Sequence, residues 1–220
     1  MYFYQPNLKQ GRYKVTDEAF VHFKARRVRK GDELYFFDGQ GQVALAEVVV
    51  LDKRFAECEL QEVIQHKQAD QPRLILGVPK IPTLEFILQK VVEIGVKEIV
   101  LLVCDNTPVK FNQQVFDQKR ERWERIIISA CEQSETLFKP ALSWCGFSDY
   151  RPSQNTVMLH PYAETDHGSL EGVTDIMVGP EGGFTDKETN CGAKLRKLNT
   201  GVLRADTAAI AAMLLCKINK

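Results

Sequence analysis

No stretch of the chain approaches the roughly 20 uninterrupted apolar residues that a helix needs to cross a bilayer. The opening residues, Met1-Tyr2-Phe3-Tyr4-Gln5-Pro6, lack the basic and apolar regions of a secretory signal, so a cytoplasmic protein without a membrane partner is expected. Cysteines are few and badly spaced for metal or disulfide chemistry. Cys58, Cys104, Cys131, Cys145, Cys191 and Cys216 include no C-x-x-C pair and have no histidine nearby at zinc spacing. They read as buried free thiols, and no metal is expected. Internal repeats and low-complexity tracts are also missing. So are the Gly-Lys-Ser/Thr phosphate loop and the G-x-G-x-x-G dinucleotide signature, which disfavours conventional nucleotide binding.

Net charge is the last absence. The 29 Lys and Arg residues balance 29 Asp and Glu, which argues against a nucleic-acid partner only as an average over the chain. Residues 9–30 carry Lys9, Arg12, Lys14, Lys24, Arg26, Arg27, Arg29 and Lys30 against Asp17 and Glu18 alone. Residues 31–62 reverse the bias, with Lys53 and Arg54 facing Asp32, Glu33, Asp38, Glu47, Asp52, Glu57, Glu59 and Glu62. A segment suited to phosphates is followed by one that restores neutrality. What remains is an ordinary globular composition, 44% hydrophobic and 26% charged over 220 residues, enough for one large domain or two modest ones.

The first 65 residues read as a small β-rich module. Residues 33–37, 43–51 and 55–63 are strand candidates around the turn cluster Asp38-Gly39-Gln40-Gly41, and Thr16-Asp17-Glu18 caps a helix over residues 19–26. The polar stretch 65–72 ends in Pro72, which sets a domain boundary: residues 1–70, then 73–220. Beyond it strands and helices alternate. Residues 73–78, 98–103, 156–160 and 175–178 are apolar runs. A helix opens at Pro82 with the face Leu84, Ile87, Leu88 and Val91, and Gly95 stops it. Trp123, Ile126, Ile127, Ala130 and Cys131 mark a helix over residues 117–134 as core or dimer packing. Thr185-Asp186-Lys187-Glu188 is a capping box opening a helix to about residue 198. Asp206-Thr207 caps a final helix over residues 208–218, apolar nearly all round, to be buried on every side or partly against another subunit. The alternation predicts a parallel sheet covered on both faces.

Such sheets bind ligands at the carboxyl ends of their strands. Three segments fall there: Leu159-His160-Pro161, Gly179-Pro180-Glu181-Gly182-Gly183-Phe184, and residues 201–207, which lead into the last helix. Glycines admit close backbone approach, and Pro180 stiffens the loop. Arg204 has a fork of donors for a carbonyl or phosphate, against a buried ion pair with Glu181 or Asp206 as the plain alternative. Glu181 suits a general base or, equally, a loop-fixing acceptor. His160, before a proline, suits a satisfied structural residue better than a base.

The segment VGPEGGFTDKE followed by LNTGVLRADTAA resembles the paired signature of the SPOUT methyltransferases, specifically the RsmE family of 16S ribosomal RNA uridine N3-methyltransferases. KVVEIGVKEIVLL, RWERIIISACEQS and HFKARRVRKGDELYFFDGQG extend the likeness over most of the chain. The resemblance implies an N-terminal PUA-like β-barrel and a C-terminal α/β domain with a trefoil knot. It implies S-adenosylmethionine (SAM) as cofactor, held by Leu159, His160, Pro161, Gly179, Pro180, Glu181, Gly182, Gly183, Leu198, Val202, Leu203, Arg204 and Thr207. It implies Arg204 and Glu181 as catalytic candidates, and small-subunit rRNA or the assembling subunit as partner. Arg12, Lys14, Arg26, Arg27, Arg29, Lys30 and Lys90 would then contact RNA, Glu132-Gln133-Ser134 would help order the active-site loop, and the enzyme would be a homodimer. Departures fall at Asn106, Thr136 and Gly201, where relatives commonly carry arginine, at Asn199 for glycine, and at Asp206 for glutamate. Each implies fewer phosphate contacts or a shifted substrate pocket. Two readings stay beside the favoured one: an enzyme acting on another RNA base, and an rRNA-binding protein whose degenerate knot has lost SAM.

Overall fold

The computed structural model describes residues 1–164, 170, 172–198 and 200–218. The chain divides into two units, Met1–Ala69 with Cys131–Lys139, and Asp70–Ala130 with Pro140–Lys220.

The first unit contains β1 (Tyr2–Tyr4), β2 (Gly11–Val15), α1 (Asp17–Ala25), β3 (Glu33–Phe37), β4 (Gln42–Leu51), β5 (Ala56–Leu60) and β6 (Ile64–Gln65). They form one sheet in the order β1-β3-β4-β5-β2, with β6 on β4. The expected meander is present, since β3, β4 and β5 pair antiparallel in sequence. Inward residues, among them Leu34, Phe36, Val48 and Leu60, meet Phe20 and Phe23 of α1 in the core. β1 and β2 were not anticipated. β1 lies parallel to β3, a pairing that no local pattern announces, and β2 turns Arg12 and Lys14 outward. Thr16 precedes α1, but its side chain caps no backbone amide: the hydroxyl donates to the Asp17 carboxylate at 2.7 Å. The Asp38 carboxylate accepts from the amides of Gln40 and Gln42, building the turn the sequence marked. Gly41 there has φ +95°, and a Cβ would stand 2.5 Å from the Phe138 ring, so only glycine fits.

The second unit contains β7 (Arg73–Gly77), α2 (Ile81–Ile94), β8 (Glu98–Val103), α3 (Gln113–Ser134), β9 (Ala141–Gly146), β10 (Thr156–Leu159), β11 (Asp175–Val178), α4 (Asp186–Thr189), β12 (Lys194–Arg196) and α5 (Ala205–Ile218). The last turn of α3 belongs to the first unit. The sheet order is β12-β10-β11-β7-β8-β9, all parallel. Apolar runs such as Leu74-Ile75-Leu76 and Ile176-Met177-Val178 are buried, as strands covered on both faces require. α2 buries the expected face, and Gly95, at φ +103°, ends it with its amide on the Val91 and Val92 carbonyls. Arg73 and Asp175 face each other in register between β7 and β11. The Asp175 carboxylate is 1% exposed and accepts from Arg73 Nε at 2.6 Å, Thr156 Oγ1 at 3.1 Å and Ser153 Oγ at 3.2 Å. This polar closure sits at the amino ends of the strands.

Three expectations need correction. The capping box at Thr185 and Glu188 forms, but α4 lasts one turn. Gly192, at φ +96°, breaks it, and Lys194-Leu195-Arg196 is drawn out as β12 alongside β10. α5 begins at Ala205, so Asp206 and Thr207 lie inside its first turn rather than capping it. Nor is α5 buried all round: Ala205, Ala209, Ala212, Met213 and Cys216 are inside, while Leu214 is 44% and Ile218 68% exposed. β9, with Ser143 in an otherwise mixed run, and the start of α3 at Gln113 rather than near residue 117 also went unforeseen. Trp123 and Ile127 are fully buried, consistent with a core role.

All six cysteines are free, but only Cys58, Cys104, Cys131 and Cys216 are buried; Cys145 and Cys191, expected inside as well, are half-buried. Burial pushes the Cys58 and Cys131 thiols up to about 12, which keeps them unreactive. Among the described residues no helix is long and apolar enough to cross a membrane, and no cluster of three or more His, Cys, Asp or Glu side chains suits a metal ion.

Candidate functional site

The strand order reverses between β11 and β7: β8 and β9 lie to one side of β7, β11 and β10 to the other. Loops leaving adjacent strands diverge at such a point and open a crevice. Beside it, at the carboxyl ends of β10 and β11, lies a cavity of about 610 Å³, within the range of small-molecule sites. The loop after β10 contributes Leu159 to Tyr162. The loop after β11 contributes Gly179 to Phe184. The segment before α5 contributes Leu198 and Thr200 to Ala205. Twelve of the thirteen residues expected to hold a cofactor line this cavity; Thr207 does not, because α5 starts early and its hydroxyl is turned to the Asp206 carboxylate at 3.2 Å.

The glycine loop has its shape for identifiable reasons. The Gly183 amide donates to the Pro180 carbonyl at 2.9 Å, closing a tight turn, and Gly183 has φ +69°, which glycine adopts freely. A Cβ on Gly183 would meet nothing within 4 Å, so the missing side chain leaves open space on the cavity wall. At Gly179 a Cβ would stand 3.2 Å from Gly183 Cα. Gly77, which ends β7, was not singled out from the sequence. A Cβ on Gly77 would lie 2.5 Å from Pro180 Cδ and 2.8 Å from Pro180 N, so the loop sits directly against a strand end that must be bare. A glycine inside an apolar strand is the signal that marked it.

Glu181 accepts from the Lys80 amide through Oε1 at 3.1 Å, tying the loop after β11 to the start of α2. Its loop-fixing role is thus visible in the geometry. Arg204 forms no buried pair: its side chain is 81% exposed, and its Nε is 4.0 Å from Asp206 Oδ1. The guanidinium fork stands at the cavity with donors to spare. His160 is anchored by its backbone, its amide donating to the Arg196 carbonyl at 2.8 Å, and its ring meets Tyr162 edge-on. Asn106 donates to the carbonyls of Gly182 and Gly183. Gly201 lines the cavity, Thr136 bonds with Ser134 at the end of α3 in the first unit, and Asn199 lies outside the described residues.

The basic residues separate into two groups. Arg12 reaches Glu59 at 3.3 Å and Glu57 at 3.7 Å across the β2–β5 pair, and Lys14 lies over the Phe55 ring. Arg26 holds the nearly buried Glu132 carboxylate at 3.4 Å and stacks over Phe3. Glu132 also accepts from the Tyr4 amide at 3.0 Å, so this carboxylate is engaged within the first unit. Arg27, Arg29 and Lys30, in the turn between α1 and β3, are exposed and make no ion pair among the described residues. Lys90 is bound by both oxygens of Glu93, at 2.9 and 3.1 Å, on α2.

Comparison with known proteins agrees over nearly the whole chain. Residues 66–217 match the RNA methyltransferase domain family, and residues 15–61 match the RNA methyltransferase PUA domain. The ribosomal RNA small subunit methyltransferase E of Aquifex aeolicus is 27% identical over 96% of each chain. The protein of the same name from Neisseria gonorrhoeae, crystallised bound to S-adenosyl methionine, superposes with a TM-score of 0.85 at 29% identity, covering 96% of this chain and 94% of that one. A methyltransferase of Legionella pneumophila, solved in complex with SAM, gives a TM-score of 0.86 at 26% identity over 99% and 96% of the two chains.

Proposed function

Because the chain belongs to the RNA methyltransferase family, we propose that it transfers the methyl group of SAM to N3 of a uridine in small-subunit rRNA, acting in the cytoplasm on that RNA or the assembling subunit. The observation that carries this reading is the cavity at the carboxyl ends of β10 and β11, walled by the glycine loop and the segment before α5, in a chain whose relatives of matching fold were solved with SAM. The residues fit such a ligand. Leu159, Leu198, Val202 and Leu203 offer apolar walls to a flat base, and Gly179, Gly182 and Gly183 let the backbone approach its other end. In this reading the path through β12, which pairs outside β10, and back to α5, which packs on α2 and β11, threads a trefoil knot.

The bound cofactor would supply a sulfonium methyl as electrophile, and for uracil N3 to accept that methyl its proton must be taken up by a group of the site. Arg204 is the residue we assign to the base: its unencumbered fork suits a uracil carbonyl, where negative charge gathers as the proton departs, or the flanking phosphate. Glu181 holds the loop through Lys80, and its carboxylate keeps acceptor capacity for the N3 proton. Nucleoside mass spectrometry tests the proposal: rRNA from cells lacking the protein should lose one 3-methyluridine, and purified protein with SAM should restore it. Retention of that nucleoside, with another methylated base lost, would move the activity elsewhere. Absence of SAM binding by calorimetry would leave an RNA-binding protein.

We also infer a twofold homodimer. The outer face of α5 exposes Leu214 and Ile218, and Phe86 on the neighbouring α2 is 46% exposed. A self-complementary apolar patch is what such symmetry covers. Sedimentation should give about 50 kDa, twice the 25.0 kDa chain. A fully active monomer at micromolar concentration would contradict the assignment.

A further inference from the structure

Asn106 lies outside the cavity yet touches its wall. It follows β8 in a tight turn, closed by the Thr107 amide on the Cys104 carbonyl at 3.1 Å and by the Cys104 amide on Thr107 Oγ1 at 2.9 Å. From this turn Asn106 Nδ2 donates to the Gly182 carbonyl at 3.1 Å and the Gly183 carbonyl at 3.2 Å. Both neighbours are acceptors only, so the nitrogen must face them and the side-chain orientation is determined. The turn is anchored in its own right. The Glu188 carboxylate, 3% exposed, accepts from the Asp105 amide at 2.9 Å and the Thr185 amide at 2.8 Å. The latch therefore stands on a buried acceptor that also starts α4.

The two bonds fix more than two oxygens. Peptide units are planar and trans, so turning the Gly183 carbonyl toward Asn106 obliges the Phe184 N–H to face the opposite way. Holding the Gly182 carbonyl does the same for the Gly183 N–H, which is found on the Pro180 carbonyl. Gly182 itself is bare because a Cβ there would come to 3.0 Å from Asn106 Cβ. We propose that Asn106 is a positioning residue, which latches two consecutive peptide planes of the glycine loop in the shape that receives the cofactor. The proposal rests on the SAM reading of the cavity and deepens it. This short amide acts on the loop from outside the cavity.

A loop held in its binding shape before the ligand arrives strengthens binding without touching the ligand. Asn106→Asp is the sharpest test, since it keeps the shape, removes the donor and sets a carboxylate against two carbonyl oxygens. The Kd for SAM should rise about tenfold in Asn106→Asp and about threefold in Asn106→Ala. The rate at saturating SAM should stay within about twofold, because the transfer itself does not use this residue. Amide hydrogen exchange at residues 182–184 should quicken in cofactor-free Asn106→Asp, a readout independent of SAM. Parental affinity and exchange in a folded Asn106→Asp protein would overturn the latch. If the parent protein itself fails to bind SAM while exchange still quickens in the variant, the latch stands and the cofactor reading falls.

Discussion

Gly183→Val is expected to raise the Kd for SAM by tenfold or more, equivalent to about 1.4 kcal/mol or greater. Two physical effects converge on this position. At φ +69° a β-branched residue is strained, so the turn closed on the Pro180 carbonyl must open or distort. If the backbone holds, the isopropyl group enters the open space beside Gly183 on the cavity wall. Gly183→Ala separates the two, for its single methyl bears the backbone strain while meeting no atom within 4 Å. Alanine should therefore cost less affinity than valine, and the thermal midpoints of both should stay near the parent's, because the loop is a surface feature. Calorimetric titration with SAM measures the difference. A folded Gly183→Val protein with parental affinity would remove SAM from this loop.

The loop itself was legible in the sequence because glycine and proline punctuate it, and the strands that present it were legible because apolar runs bounded by breakers have few other uses. Residues 73–78, 98–103 and 175–178 required nothing beyond their own composition. What escaped detection depends on partners far away in the chain. β12 exists because β10 offers an edge, and a capping box followed by Lys194-Leu195-Arg196 looks like a continuing helix until Gly192 turns the chain. β1 exists because β3 lies beside it. Within the site, Gly77 and Lys80 make sense only once Pro180 and Glu181 are seen against them. The charge pattern is legible in sum but not in detail, since the acidic stretch does not merely follow the basic one. Its β5 lies in register with β2, so Glu59 opposes Arg12 and Glu57 opposes Lys14.

That detail selects the charges to reverse. Arg27→Glu with Arg29→Glu should abolish most rRNA methylation while leaving SAM affinity and thermal stability almost unaltered. Both side chains are exposed in the turn between α1 and β3, where substitutions carry little folding energy. Arg27 has φ +55°, which glutamate bears about as well as arginine, so the backbone meets no new strain there. Arg26 would be the wrong choice. Its replacement by glutamate would face Glu132, 6% exposed, with a second carboxylate, and a loss of activity would then report unfolding rather than docking. RNA binding through this turn should be electrostatic, so affinity for rRNA should fall with added salt, and the double variant should show a shallower salt dependence than the parent. SAM binding should be nearly indifferent to salt in both, since the cavity is walled largely by backbone and apolar side chains. If the double variant methylates rRNA at the parental rate, the basic turn is a solvated face, and docking belongs instead to the α/β unit, around Lys80 and Lys110.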